Sequence, residues 1–216
     1  MELLVLLSIC YCLALKACAQ PTPCTEVSPP WITGGISTST KDGAKTSSGI
    51  FTYDGWGQQV HFRNFEAEHN TTHFTDLLMN FKQKVVYEIN HTSQTCKMKT
   101  LETSFHPMQV PPNSLFFGQA IMGTTSVPAS GVLVNNWVGE ISEIQANYVL
   151  VFSAYMCLPI TALIHRPDQG WIAISFFYQV LTVVDPSKFI PPAFCQNVAS
   201  EETDSTDFIR AIQSVI

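Results

Sequence analysis

The stretch FTYDGWGQQVHF, residues 51–62, indicates the class of fold. Apolar and aromatic side chains alternate with polar ones on both sides of Asp54 and Gly55, which is the pattern of two half-buried β-strands. An Asp-Gly pair readily adopts the positive φ angles of a type I′ turn, which joins neighbouring antiparallel strands. The stretch therefore predicts an antiparallel β-hairpin.

The residues that follow extend the same pattern of strands and short polar turns. It is read from HFTDLLMNF (73–81), KQK (82–84), VVYEIN (85–90) and TCKMKTLET (95–103). A helix from Thr75 to Phe81 is the competing interpretation, because three apolar residues there also have helical spacing: Leu77, Leu78 and Phe81. We expect strands throughout, since the polar turns are short and the period is close to two.

The region before the hairpin differs in composition. Residues 28–49 are rich in Ser, Thr, Gly and Pro, which is typical of loops. We expect at most one weak strand there, around Gly34 to Thr40, and regular structure from Ile50 onward.

A long apolar segment lies in the second half of the chain. ANYVLVFSAYMCLPITALI, residues 146–164, has no charged side chain, and its hydropathy alone could indicate a membrane span. Pro159 and the many β-branched and aromatic residues favour buried strands broken near Cys157 instead.

A second apolar segment, WIAISFFYQVLTVV (171–184), is apolar on both alternating faces. One face carries Trp171, Ala173, Phe177, Leu181 and Val183, and the other carries Ile172, Ile174, Phe176, Tyr178, Val180 and Val184. A strand with two apolar faces must be covered on both sides, which predicts a thick sandwich or a curved sheet with an apolar concavity. Which face lines the concavity stays open.

The stretch VDPSKFIPPAFC, residues 184–195, predicts the end of the sheet. Pro191 and Pro192 have no N–H to donate and therefore stop any strand that runs through 188–190. Cys195 follows directly and is placed to fasten the tail to the body.

The start of the chain predicts export. An apolar block over residues 3–15 precedes Ala17-Cys18-Ala19, a small-x-small cleavage pattern, so residues 1–19 are interpreted as a signal peptide. Without them four cysteines remain, an even number that suggests two disulfides in one of three connectivities: Cys24, Cys96, Cys157 and Cys195. Two sequons, at Asn70 and Asn90, predict N-glycans on an exported chain.

The composition predicts one acidic domain. The chain carries a formal net charge of −6, which argues against a nucleic-acid partner because phosphates attract a basic surface. It is 46% hydrophobic and has no long linker between Phe51 and Cys195, so residues 20–199 are expected to form one core. Residues 200–216 are expected to be an acidic tail with a short helix.

The sequence contains no motif for catalysis. It lacks a G-x-S-x-G elbow, a phosphate-binding loop, a dinucleotide fingerprint, an H-E-x-x-H pair and an EF-hand loop, so we expect no enzyme. His69 and His73 stand four apart, but solvated loop histidines are the simpler interpretation. Three acidic pairs could serve calcium without leaving a signature, and each is more simply a solvated surface: Glu66 with Glu68, Glu140 with Glu143, and Glu201 with Glu202.

Taken together, the segments resemble the ependymins, a family of secreted glycoproteins. The similar stretches are FTYDGWGQQVHF, LLMNFKQKVVYEIN, VPPNS, MGTTS, NNWVGE, CLPI, DPSKFIPPAFC and VASEE. The resemblance implies a strongly curved antiparallel sheet like that of bacterial lipoprotein carriers, a deep apolar pocket, a homodimer and calcium binding, with no short motif that assigns the calcium ligands.

The resemblance also bears on the cysteines and on the compartment. It favours disulfides Cys96–Cys195 and Cys24–Cys157, and the position of Cys195 after the last predicted strand agrees with this. A further cysteine pair of mammalian relatives is missing here, which implies the fish-type branch and an extracellular setting, with the lysosome as the alternative.

Two functions from different classes follow. The first is a non-enzymatic carrier of an apolar molecule such as a lipid, with pocket candidates Trp137, Tyr148, Phe152, Trp171 and Phe177. The second is a calcium-dependent cell-adhesion or extracellular-matrix glycoprotein with no ligand cavity. An enclosed apolar cavity of several hundred Å³ would favour the first.

Overall fold

The computed structural model describes residues 24, 29–40, 46–68, 71–101, 104–142, 145–167, 170–196 and 198–201. The predicted signal peptide, the sequon residue Asn70 and the expected helix in the tail lie outside these residues. The described residues form one antiparallel sheet, with a two-residue strand added in parallel at one edge.

The twelve strands are β1 Trp31–Thr40, β2 Thr46–Asp54, β3 Gln59–Glu68, β4 Thr71–Asn80, β5 Val85–Asn90, β6 Thr95–Thr100, β7 Leu115–Gly123, β8 Gly131–Ile141, β9 Ala146–Ser153, β10 Pro159–Arg166, β11 Gly170–Val180 and β12 Ser200–Glu201. Their order in the sheet is β12-β6-β5-β4-β3-β2-β1-β11-β10-β9-β8-β7. The sheet is open, because its edge strands β12 and β7 do not pair with each other.

The connection from β6 to β7 decides where the core lies. It starts close to one edge of the sheet and ends at the other, so residues 101–114 must cross one whole face. Leu101 and Met108 from this connection belong to a single buried cluster with residues of β1–β5 and β8–β11. We call the crossed face the inner face and residues 104–114 the connector. One cluster can join strands so far apart in the sheet order only if the sheet curves around the connector.

A second irregular segment covers part of the opposite, outer face. After β11 the chain forms a short 3-10 helix, Pro186–Phe189, in which the Asp185 carboxylate accepts a hydrogen bond from the Ser187 N–H. Val184, Phe189 and Cys195 pack against Leu78 of β4 and Ile89 of β5 in a second buried cluster. We call residues 184–195 the strap.

The predicted hairpin is confirmed, but its turn is different from the expected type I′ turn. β2 and β3 are joined by a four-residue loop in which the positive φ is at Gln58, 53°, and not at Asp54 or Gly55. The Asp54 carboxylate accepts a hydrogen bond of 2.8 Å from the Gly57 N–H, which holds the wider loop.

The strands predicted in 73–90 and the strand predicted to start in 95–103 are confirmed. Those in 146–164 are also confirmed, as β9 and β10 separated by a turn that contains Cys157. The helix alternative over 75–81 is wrong. The expectation that regular structure begins at Ile50 is also wrong, since β1 and the first half of β2 precede it. Glycine is required at position 35 of β1 because the Phe177 ring occupies the space that a Cβ there would need.

Two expectations about 171–190 need correction. β11 ends at Val180, and residues 188–190 lie in the strap, so Pro191 and Pro192 interrupt no strand. The outer face of β11 is not covered: Trp171 is 46% and Phe177 38% exposed. The strap turns toward β3–β6 and leaves this part of the outer face to solvent.

Both disulfides form with the expected pairing. Cys24 is bonded to Cys157, with their Cα atoms 5.4 Å apart, and Cys96 to Cys195, with 5.2 Å. The second bond ties the strap to β6, at one side of the sheet.

Candidate functional site

The connector packs on the inner face through three apolar side chains, Phe105, Met108 and Val110. The Phe105 ring stacks on Tyr53 of β2 at 6.0 Å between centroids and meets Phe81 edge-on at 5.2 Å. Met108 is fully buried in the main cluster. Because His106 between them is exposed, the connector presents an apolar side to the sheet and a polar side to solvent.

Two hydrogen bonds tie the described connector residues to the sheet. The Met108 N–H donates to the Tyr53 hydroxyl at 3.3 Å, and the hydroxyls of Ser114 and Tyr148 lie 2.8 Å apart. Burial raises the pKa of Tyr53 above 10, the Met108 N–H opposes this and the Asp54 charge adds to it. The Tyr53 hydroxyl therefore stays protonated at neutral pH and can accept the Met108 N–H.

A small apolar cavity lies beneath Met108. It is lined by Met108, Leu150, Phe152, Pro159, Thr161, Ala162 and Phe176. Its volume is about 10 Å³, which is room for about one water molecule. Ligand sites usually enclose about 300–1,000 Å³, so this conformation has no space for a lipid chain at this cavity.

The five predicted pocket residues divide between the two faces. Trp137, Tyr148 and Phe152 are buried on the inner face, and Phe152 lines the cavity. Trp171 and Phe177 lie apart from them on the outer face of β11. Alternation along β11 explains the division, because the neighbouring Phe176 is the one that points inward.

The sequence analysis did not identify Met108, Leu150 or Phe176 as lining residues. Phe176 shares its face with the buried Ile172 and Ile174, so alternation offered this face as one of two possibilities. Met108 stands between Pro107 and two later prolines. An apolar residue within a proline-rich loop was the available signal.

Trp137 contributes a polar atom to the inner face. Its ring packs against Phe116 at 5.1 Å, and its indole Nε1 is buried without a hydrogen-bond partner among the described residues. Trp137 pairs across strands with Leu150, which lines the cavity. The inner face thus has an unused donor beside its cavity, and an unpaired buried donor costs about 1–3 kcal/mol.

The outer face under the strap carries a charged group that the sequence analysis missed. The buried Asp76 carboxylate lies 3.0 Å from His91 Nε2, 3.4 Å from His61 Nε2 and 3.5 Å from Arg63 Nε. The His91 ring in turn meets Phe194 of the strap edge-on at 6.0 Å. A single Asp in the apolar strand HFTDLLMNF was the signal for this cluster.

Opposing influences set the pKa of Asp76. Burial, the largest, raises it, but the His61 contact, the positive charges of His61 and Arg63 and the hydrogen bond with His91 together hold it below 3.8. Asp76 is therefore ionised at neutral pH and links β3, β4 and the turn after β5.

The described residues offer no metal site. They contain no group of three or more His, Cys, Asp or Glu side chains placed to hold an ion. Of the residues weighed for metals, His69, Glu143 and Glu202 lie outside the described part, and the side chains of Glu66, Glu68, His73 and Glu201 are likewise not described.

The second sequon lies at a turn. Asn90 is the last residue of β5, and its side-chain oxygen accepts hydrogen bonds of 3.0 Å from the N–H groups of Thr92 and Ser93. Residues 91–94 are exposed. In the part of the chain that the structure describes, no helix is long and apolar enough to cross a bilayer.

Comparison with known proteins identifies relatives over nearly the whole chain. A family model described as Ependymin matches residues 69–195, more than half of the chain. Ependymin-2 of Carassius auratus is 33% identical over 201 residues, which cover 93% of this chain and 92% of the relative. Ependymin of Notemigonus crysoleucas is 32% identical over 202 residues, with the same coverage.

A solved structure supports the fold. An uncharacterized conserved protein from Thermus thermophilus superposes with a TM-score of 0.54 at 7% identity and covers 80% of this chain and 91% of its own. At this identity the likeness shows a common fold alone. The fold, the two disulfides and the extended sequence matches agree, and the chain belongs to the ependymin family.

Proposed function

We propose that this protein is an extracellular, non-enzymatic glycoprotein that carries a hydrophobic molecule, such as a lipid, between the inner face of its sheet and the connector. The observation that carries the proposal is the cover of the inner face. Among the described residues, a continuous apolar surface from nine strands is closed by an irregular segment and not by a second sheet or a helix. Such a cover can be displaced without disrupting the strand pairing.

The energetics of the connector support displacement. Its described ties to the sheet are two hydrogen bonds, the burial of Met108 and the packing of the partly buried Phe105 and Val110. Each net hydrogen bond contributes about 0.5–1.5 kcal/mol, and each buried apolar side chain about 1.5–3 kcal/mol. A lipid chain that occupies the same surface replaces the apolar contacts, so the cost of opening is largely offset by the ligand.

The cavity marks the place where a ligand would enter. Met108 is the connector residue that lines it, opposite Phe152 and Phe176. The unpaired indole Nε1 of Trp137 lies on the neighbouring strand and can donate a hydrogen bond to a carboxylate or ester oxygen of the ligand. The chemistry therefore fits an amphiphile with an apolar chain and a hydrogen-bond acceptor.

The test is a binding measurement on protein from a secretory host. Lipid extracted from the purified protein is identified by mass spectrometry, and the delipidated protein is titrated with a fluorescent fatty acid. Saturable binding that weakens in Trp137→Phe, which keeps an aromatic ring but lacks the donor, is the expected result. The absence of both extracted lipid and saturable binding would contradict the proposal.

The second candidate is an extracellular-matrix or cell-adhesion glycoprotein without a ligand. The observation that favours it is the size of the cavity, about 10 Å³, which holds no lipid chain in the closed conformation. This candidate predicts that a connector locked to the sheet retains full activity in matrix binding, whereas the carrier requires the connector to open.

A homodimer and bound calcium, which the resemblance implies, remain separate proposals. Since the described carboxylates do not form a group that could hold an ion, no step of the carrier proposal uses calcium.

A further inference from the structure

The two ends of the sheet differ in their charge. In β7–β11 the strands run alternately up and down, so the turns after β7 and β9 lie at one end and the turns after β8 and β10 at the other. The register places Val134, near the start of β8, beside Ser153, the last residue of β9. We call the end formed by residues 124–130, 154–158 and the last residues of β11 the apolar end.

No formal charge falls at the apolar end of these five strands. Residues 104–139, 145–165 and 170–184 contain no Asp, Glu, Lys or Arg. The described charged residues of this half are Glu140 and Arg166, near the end of β8 and at the end of β10, on the opposite side from the apolar end. The formal charge of these strands is therefore concentrated at the end opposite the apolar end.

The apolar end exposes large side chains. Val127 is 55% and Met156 63% exposed, and further exposed apolar or aromatic residues at this end are Met122, Val132, Tyr155, Tyr178 and Val180. Apolar side chains grouped on a surface mark interaction sites. Since they come from three separate turns or strand ends, the exposed apolar surface belongs to the whole end of the sheet and not to a single loop.

Several backbone groups of these tips are paired internally. The Thr124 N–H donates to the Ser130 carbonyl, and the Ser130 N–H donates to Val127. In the next turn the Ser153 N–H donates to Leu158, whose own N–H donates to the Ser153 hydroxyl. Tips with paired backbone groups and no charge can enter the interfacial region of a bilayer at low cost.

The other half of the same end has the composition of a headgroup contact. The exposed Trp56 lies in the turn after β2, and Lys82 and Lys84 lie in the turn after β4. The Lys82 ammonium donates to the Trp56 carbonyl at 2.8 Å, which joins the two turns. Aromatic rings and lysines are favoured at the level of lipid headgroups, and lysines favour anionic ones.

The described residues of the two predicted sequons lie at the opposite end. Asn90 ends β5 there, and Thr71 of the other sequon begins β4 there. Glycans attached at these sequons would extend away from a surface that the apolar end contacts.

We propose that the apolar end docks on a phospholipid bilayer, with Val127, Met156 and their neighbours in the interface and Trp56, Lys82 and Lys84 among the headgroups. Docking on the bilayer does not by itself transfer a ligand to or from the protein. It holds whether or not a lipid binds under the connector.

The test is flotation of the glycosylated, delipidated protein with vesicles of phosphatidylcholine, with and without phosphatidylserine. The wild-type protein is expected to float with both and more with the anionic vesicles. The double variant Val127→Glu/Met156→Glu should bind at least about tenfold more weakly, because it replaces two apolar side chains that the bilayer would bury with charged ones. Lys82→Ser should lose about fivefold on anionic vesicles alone.

The matched control is Leu115→Glu. Leu115 is 68% exposed and lies in the same hairpin, but at the start of β7, toward the opposite end. It should float like the wild-type protein.

Three outcomes would overturn the proposal. They are a wild-type protein that floats with neither vesicle, equal flotation of the double variant, and a double variant that loses self-association in light scattering, which would assign the apolar end to a second copy of the chain. Fatty-acid titration of the same variants reports separately on the inner face, so failure of the docking proposal is distinguishable from failure of the carrier proposal.

Discussion

The connector and the strap are irregular segments that pack on opposite faces of the same sheet, and they are attached to it differently. The strap buries Phe189 and Cys195, is bonded covalently to β6 and contacts His91 of the Asp76 cluster. The connector buries Met108 and packs the partly buried Phe105 and Val110 on the sheet, and its described polar ties are two hydrogen bonds.

The difference assigns different roles to similar segments. A disulfide removes the open states of the segment that it holds, whereas apolar contacts and hydrogen bonds can be exchanged for those of a ligand. The part of the outer face under the strap is therefore closed covalently, and the carrier proposal requires that the inner face be closed conditionally. The difference in attachment is the structural basis of the carrier proposal.

The largest effect is expected when the strap is released. Replacing both partners in Cys96→Ser/Cys195→Ser leaves no unpaired thiol and removes a bond between residues 99 apart in sequence. The chain-entropy estimate for a loop of this length is about 4–5 kcal/mol, an upper value for the loss in free energy of unfolding. Urea unfolding under oxidising conditions measures it. An unchanged midpoint would show that the strap needs no covalent tie.

Truncation of the Met108 side chain in the connector should destabilise the protein less than release of the strap does, and it should strengthen ligand binding. Met108→Ala should lower the free energy of unfolding by about 2–5 kcal/mol, since it enlarges an existing cavity. The same change weakens the closed state, so the affinity for a fluorescent fatty acid should rise. His106→Ala, an exposed change in the same segment, is the control and should alter neither quantity. Weaker binding in Met108→Ala would contradict a connector that competes with the ligand.

Removal of the Asp76 charge tests the ionic support under the strap. Asp76→Asn should cost about 1.5–3 kcal/mol, the usual value of hydrogen bonds to a charged group. Because the pKa of Asp76 is lowered in the fold, its contribution is complete above the unfolded value of about 3.9 and is lost as pH falls through the folded value. The wild-type protein should therefore lose stability below about pH 4 more steeply than Asp76→Asn. If urea unfolding shows that the wild-type protein and Asp76→Asn lose stability equally steeply below about pH 4, this assignment is refuted.

The smallest effect is expected at the hydrogen bond of the connector. Tyr53→Phe keeps the ring that stacks on Phe105 and removes the acceptor of the Met108 N–H. It should cost about 1 kcal/mol in thermal or urea unfolding and should increase fatty-acid affinity slightly. A loss of several kcal/mol would mean that the connector is anchored more firmly than its contacts indicate.

Local pattern predicted the parts of this fold that depend on near neighbours in sequence. The β2–β3 and β4–β5 hairpins follow from alternation and polar turns, and the break at Cys157 follows from Pro159. Paired cysteines were also predictable from the sequence, because removal of the predicted signal peptide leaves an even number and the resemblance favours one pairing.

What the sequence did not reveal depends on crossing and curvature. Met108 reaches the inner face because the connector spans the sheet from one edge to the other, and no local period encodes that path. Trp171 and Phe177 are exposed because the strap covers other strands, although their own strand is apolar on both faces. Asp76 meets His61 across β3 and His91 beyond β5, so its partners become visible only with the register.

The most direct test of the account is amide hydrogen exchange of residues 104–114 and 184–195 in the disulfide-intact protein, with and without a saturating fatty acid. We predict that the connector exchanges faster than the strap without ligand and that the fatty acid changes exchange in the connector but not in the strap. Equally slow exchange of both segments, unaffected by the fatty acid, would contradict a conditional cover of the inner face.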